Sequence, residues 1–385
     1  MIRLARVIEA FEADFRERYS GRIRSEHLHA LGALKRCRTQ ASPKLISRCT
    51  DTGCAHQRLV PHSCGHRHCP HCQHHESQQW LERQLTRQLP ATYFLLTFTV
   101  PGQFRSLAAA QPRLFYELLL RTSWDTVRCF TRNDRQLAGE AGAIAVLHTH
   151  TRQLDYHPHV HLVMPAGAVD VKTRRWRSKR RRKKARGADS AYLFNHKALA
   201  KVFRAKLLAA LTEAGVRLPS CYPKDWVVDC RAVGNGRSAL IYLGRYLYRG
   251  VIREDDILSV TATHVTFRYR EGGTGSWRQR TVTGAEFLWL VLQHVLPKGF
   301  RRARNFGFLH PNSNRLIALL QVLLRFVPPT AADCIKPRAP IVCPCCGAPM
   351  QIVRTRIPAR EGLPEPPRSP QAAPGPQEVA AHLKG

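Results

Sequence analysis

Six cysteines fall between residues 37 and 72, and no other stretch limits the fold so tightly. Cys37, Cys49, Cys54, Cys64, Cys69 and Cys72 stand among His56, His62, His66, His68 and His71, and large apolar residues are few. A segment so poor in core-forming side chains cannot hold itself by hydrophobic burial and needs a cross-link. Cys69-Pro-His-Cys72 is a CxxC knuckle, whose spacing lets two thiolates grip one Zn²⁺ at tetrahedral angles. Cys49-x4-Cys54 supplies a second half. The expected structural zinc set is therefore Cys49, Cys54, Cys69 and Cys72, with Cys64, His66 and His68 as alternates or members of a second site. Four thiolates leave no open coordination position, so this zinc has no catalytic role. Cys343-Pro-Cys-Cys346 is another knuckle, with Cys343 and Cys346 as zinc ligands and Cys334 as a third donor. The thirteen cysteines are odd in number and clustered, and no secretion signal precedes them. Metal thiolates in a reducing cytoplasm are expected rather than disulfides.

Charge narrows the partner. Lys and Arg number 61 against 27 Asp and Glu, a net charge of +34. Such a field favours a polyanion, most simply nucleic acid. Ten of the thirteen residues from Arg174 to Arg186 are basic. Within this run Arg180, Arg181, Arg182, Lys183 and Lys184 are expected to contact DNA, adding salt-sensitive affinity without sequence specificity. A membrane surface would be the rival, but no apolar run reaches the length of a spanning helix.

Periodicity predicts strands at 93–100, 143–150 and 154–164 and helices at 80–89, 114–130 and 197–211. Strands in a run with helices packed on one side indicate an antiparallel α+β sheet. The strand Leu154–Met164 carries His157, His159 and His161 on one face, because side chains at i and i+2 point the same way. Two such imidazoles converge on one point and make a claw for a divalent metal. Alone the pattern is weak, since His-x-His recurs by chance in a chain with 19 histidines.

A helix is predicted over 238–249, with Tyr242 and Tyr246 one turn apart on one face and Arg245 and Arg249 beside them. A tyrosyl oxygen is a weak nucleophile, so it needs a polarised phosphate, and the guanidinium groups suit phosphate binding. No GxxxxGK[ST] loop is present, and no nucleotide cofactor is expected.

The order of the motifs resembles the transposases of the IS91 family, HUH-type single-strand endonucleases. The matching stretches are Arg67–Gln73, His-Pro-His-Val-His at 157–161, Tyr-Leu-Gly-Arg-Tyr at 242–246, Leu296–Phe308 and Cys343–Gly347, together spanning about residues 30–350. The resemblance implies that His159 and His161 are the paired ligands of a catalytic Mg²⁺ or Mn²⁺. It also implies that Tyr242 and Tyr246 attack single-stranded DNA at the transposon ends, leaving 5′-phosphotyrosine in rolling-circle transposition. His157, Gln153 and Asp155 are the candidates for the third ligand. The chain departs from the family in the four-residue gap of Cys49–Cys54 and in the long basic run. The expected divisions are a helical entry with zinc module at 1–90 and an HUH-type catalytic domain at 91–330 with a basic insertion at 172–187. A C-terminal knuckle at 331–356 and a Pro-rich disordered tail at 357–385 follow. A plasmid relaxase or replication initiator would share the claw and tyrosines. A zinc-dependent DNA-binding protein without activity would share only the cysteines and the charge.

Overall fold

A computed structural model describes residues 2–170, 172–179, 193–248, 250–330 and 340–357. Arg180–Lys184, Arg249, Cys334 and the tail beyond Ile357 lie outside the described residues. Helices α1 (Leu4–Arg18) and α2 (Ser25–Arg36) lead into strands β1 (Lys44–Cys49) and β2 (Gln57–Pro61). Then come α3 (His74–Leu85), β3 (Tyr93–Thr99), α4 (Arg105–Ala110), α5 (Pro112–Asn133), β4 (Gly142–His150), β5 (Tyr156–Pro165), β6 (Gly167–Val169) and β7 (Trp176–Ser178). The chain continues through α6 (His196–Glu213), β8 (Val228–Ala232), α7 (Arg237–Leu247), β9 (Ile257–Val260), β10 (His264–Arg270) and β11 (Trp277–Thr283). It ends with α8 (Gly284–Leu292), β12 (Ala303–Gly307), α9 (Asn314–Leu323) and β13 (Met350–Ile357).

The central sheet has five antiparallel strands in the order β12-β4-β5-β3-β8. Its two faces follow from strand alternation. Leu96, Phe98, Ala145, Leu147, Val160 and Leu162 pack on one side against Leu119 and Trp124 of α5 and Phe203 and Leu207 of α6. Leu95, Ile144, Val146 and Val163 pack on the other against Trp80 and Leu85 of α3, Leu240, Leu243 and Leu247 of α7, and Leu320 of α9. Helices thus cover both faces, not the one side expected from sequence. The reason is visible in β3, where Tyr93–Leu96 are all buried and no polar face remains for water.

A second core joins the two ends of that arrangement. Phe11 and Phe15 of α1 and Leu31 and Leu34 of α2 meet Phe287, Leu288 and Val291 of α8 and Val265 and Phe267 of β10. Sheet β11-β10-β9 backs this core. The third sheet, β13-β1-β2, pairs the last described strand with the first. The stretches 1–90, 91–330 and 331–356 therefore interleave in space, since α1 and α2 pack on α8, and β1 pairs with β13. No helix among the described residues is long and apolar enough to cross a membrane.

Gly307 ends β12 at φ +57°, and a Cβ there would overlap the Ala141 carbonyl oxygen. Backbone strain and overlap act together at this position. Gly307→Ala is expected to lower stability by about 2–4 kcal/mol, read as a reduced melting temperature in a thermal scan.

Candidate active site and metal centres

The histidine cluster is built across two strands. Register places His148 of β4 opposite His159 of β5, and Val146 opposite His161. His148, His159 and His161 thereby share the sheet face that α7 covers, and their candidate ligand nitrogens all lie within 4.8 Å of one another. Ring centroids are 4.1 Å apart for His148–His161 and 5.0 Å for His159–His161. The His159 Nδ1–H donates to the His157 carbonyl at 2.7 Å, which leaves Nε2 with a free lone pair. His148 Nε2 and His161 Nδ1 are buried without a hydrogen-bond partner. Burial first, then neighbouring imidazoles, drives the pKa of His161 down to about 3 and that of His148 well below the ordinary value. All three rings are neutral near pH 7, the form that ligates. Orphaned nitrogens on neutral, converging imidazoles fit a divalent cation.

The third member is a correction. His157, Gln153 and Asp155 were the candidates, and none joins the cluster. His157 Nδ1 faces an Arg105 guanidinium nitrogen at 3.3 Å. Gln153 donates to the Tyr269 hydroxyl, and Asp155 accepts from Arg280 at 2.8 Å. The physical reason is spacing. Successive same-face residues on a strand are nearly 7 Å apart, whereas cross-strand neighbours lie about 5 Å apart. A third imidazole comes closer from β4 than from further along β5. The signal was present in the sequence as His148-Thr-His150, a second His-x-His on the preceding strand.

Helix α7 carries Tyr242 and Tyr246 over this cluster. It starts at Gly236, whose φ of +79° turns the chain and whose missing Cβ leaves room for the Tyr93 ring. Leu240, Leu243 and Leu247 bury its inner face, each stabilising by about 1.5–3 kcal/mol. The two tyrosines differ sharply. Tyr246 stacks on His148 with centroids 3.3 Å apart. Its oxygen accepts the Thr149 N–H at 3.1 Å and lies 2.9 Å from His150 Nδ1. The buried Arg302 sits 4.4 Å from the centre of its ring and donates to the Leu147 carbonyl. Tyr242 is 49% exposed, with its ring 6.1 Å from those of both His148 and His161. Partial burial and the Tyr246 phenol raise its pKa, while Arg152 and Arg231 pull it down. Arg245 is exposed on the same helix. On β12 and just before it, Arg302 is buried and Arg304 pairs with Glu117.

The cysteines form two sets, and the expected quartet is divided between them. Cys37, Cys64, Cys69 and Cys72 converge at the second core, with Cys37 Sγ 3.4 Å from Cys69 Sγ and 3.5 Å from Cys72 Sγ. Cys49 and Cys54 instead meet Cys343 and Cys346. Chain order is misleading here because β1 carries Cys49 toward β13, its antiparallel partner. Zinc–sulfur bonds of about 2.3 Å in a tetrahedron put sulfurs roughly 3.8 Å apart, close to the spacing in both sets.

Residues 7–100 match the family model "Transposase zinc-binding domain", and residues 142–315 match "Putative transposase". "Putative transposase y4qJ" of Sinorhizobium fredii is 30% identical over 328 residues, covering 77% of this chain and 79% of that protein. "Transposase for insertion sequence element IS801" of Pseudomonas savastanoi pv. phaseolicola is 27% identical over 297 residues, 75% of this chain and 72% of that protein. No solved structure matches. The family models and relatives define a transposase with a zinc-binding domain, and the cysteine sets fit zinc. The chain belongs to the IS91 family of transposases.

His148→Ala is expected to weaken Mn²⁺ binding as severely as His159→Ala, by more than the roughly 10–100-fold that losing a supporting partner costs. His157→Ala should leave binding within a few-fold, as read by electron paramagnetic resonance titration.

Proposed function

We propose that this transposase is an HUH-type enzyme that nicks and joins single-stranded DNA through 5′-phosphotyrosine, in rolling-circle transposition. The observation that carries the reading is the seating of a two-tyrosine helix directly over three converging imidazoles. His148, His159 and His161 would hold Mg²⁺ or Mn²⁺, which when bound would polarise the scissile phosphate. The chain's own residues do the rest. The Tyr242 oxygen forms a bond to phosphorus, its proton is lost, and the DNA 3′-oxygen leaves and takes up a proton. One phosphodiester replaces another, so no nucleotide hydrolysis is needed. Reversal onto a different 3′-hydroxyl joins a new strand.

Tyr242 acts first in this reading. It is half exposed, and no hydrogen bond to its hydroxyl is found among the described residues. The Tyr246 hydroxyl is engaged by Thr149 and His150. Tyr246 fixes the His148 ring during the first transfer and serves as nucleophile for the second. Arg152 and Arg231 lie on the Tyr242 side and suit the phosphate backbone. Arg245, Arg249 and the run Arg180–Lys184 add general affinity for the strand. A cytoplasmic setting, where thiolates stay reduced, accords with the cysteine sets.

A denaturing gel on single-stranded DNA carrying the element's ends, with Mn²⁺, checks the chemistry. Tyr242→Phe is expected to reduce the covalent adduct by more than about 1000-fold. Tyr246→Phe should retain the first adduct and lose strand joining. An adduct equally abundant in Tyr242→Phe would sink the assignment of the first nucleophile. Replacing Arg180–Lys184 with alanine should flatten the slope of log K against log salt by up to about 3.5, measured by fluorescence anisotropy. An unchanged slope would remove the run from the interface.

A further inference from the structure

We infer that Cys49, Cys54, Cys343 and Cys346 form a second zinc site, separate from the core site, that latches the C-terminal segment onto the N-terminal hairpin. The family model for the zinc-binding domain ends at residue 100 and does not reach the second pair. The inference does not rest on the proposed cleavage chemistry.

Four observations support it. All four sulfurs lie within 4.8 Å of one another, with Cys49–Cys346 at 3.4 Å and Cys54–Cys343 at 3.7 Å. These partners are 297 and 289 residues apart in the chain, so only the fold assembles them. Both halves have knuckle backbones. The Cys49 N–H donates to the His56 carbonyl, the Cys343 N–H donates to Ala348 O, and Gly347 turns at φ +76°. Finally, the sheet has almost no core of its own. Its buried cluster is Cys49, Cys343 and Met350, with Cys54, Ile341 and Ala348 partly buried. Leu59, Ile352 and Val353 remain exposed. So small a three-stranded sheet does not hold by apolar burial, and a metal must supply the difference.

The two sites differ in access. Three of the four ligands are buried in the Cys37 set, whereas Cys346 is exposed and Cys54 partly exposed in the second. The second zinc is therefore the first to leave under a chelator, and its loss frees β13 from β1. Pairing of β13 runs from Cys49↔Met350 to Lys44↔Ile357, so release affects both strands together.

Native mass spectrometry of the zinc-loaded full chain is expected to show two Zn²⁺ ions, falling to one in the double variant Cys343→Ser/Cys346→Ser. Release into a colorimetric chelator should be biphasic, with the fast phase missing in that variant. Hydrogen exchange should rise in 44–49 and 350–357 of the double variant while β4 and β5 stay protected, showing that the chain is still folded. Cys54→Ser, on the opposite knuckle, should give the same loss of one zinc. Two zincs retained by the double variant, or one release phase that the substitutions leave unchanged, would overturn the latch. So would zinc loss without faster exchange in both strands.

Discussion

The pairing of His148 with His159 across β4 and β5 is the contact on which the rest of the site depends. Strand register is an all-or-none property when both faces are buried. A slip of one residue would carry His148 into the layer that packs on α5 and α6 and bring Leu147 under α7. Side-chain size opposes this, because small Ala143 and Ala145 face α5 and α6 while bulkier Ile144 and Val146 face α7, and a slip would exchange them. Hydrophobic burial along β4 therefore sets the geometry of three imidazoles whose own interactions are too weak to set it. The same alternation puts them on the face that receives α7.

The tyrosine helix is fixed by similar means and then refined by polar contacts. Apolar residues on its inner face dock it, and Tyr246 settles on His148. Arg302 lies against the Tyr246 ring. A buried guanidinium is costly without compensation, and here the π face of Tyr246 and the Leu147 carbonyl provide it. Tyr246 thus spends its ring and its oxygen on positioning, whereas Tyr242 is left available. Two chemically identical side chains one turn apart acquire different environments from where the helix crosses β4 and β5.

How much of this could be read from the residues varies with how local each feature is. The His-x-His strand, the tyrosine helix, the main strands and both CxxC-type knuckles were legible, because each is encoded within a dozen residues. Which knuckle pairs with which was not, since β1–β13 pairing spans nearly the whole chain. His148 escaped for the same reason, for it belongs to the claw through register and not through spacing. The helices on both sheet faces were foreshadowed only by the unbroken apolar run in β3. The burial of Arg302 against a tyrosine was not legible, since it depends on β12 adding to β4.

The claw is also held from outside its own sheet. The turn before β5 places Leu154 at φ +69°, an unfavourable conformation for a buried leucine. Side chains of the second core pin it there. His294 and Gln293 both donate to the Leu154 carbonyl, and Arg280 holds Asp155. The strain is local, but the groups that enforce it sit at the C-terminal end of α8 and on β11. Those elements share their core with α1, α2 and the Cys37 cysteine set. The Cys37 cysteine set therefore shares one packed core with the turn that leads into the histidine strand. The histidines, drawn from two strands, are thus propped from α8 and β11 as well as by their own sheet.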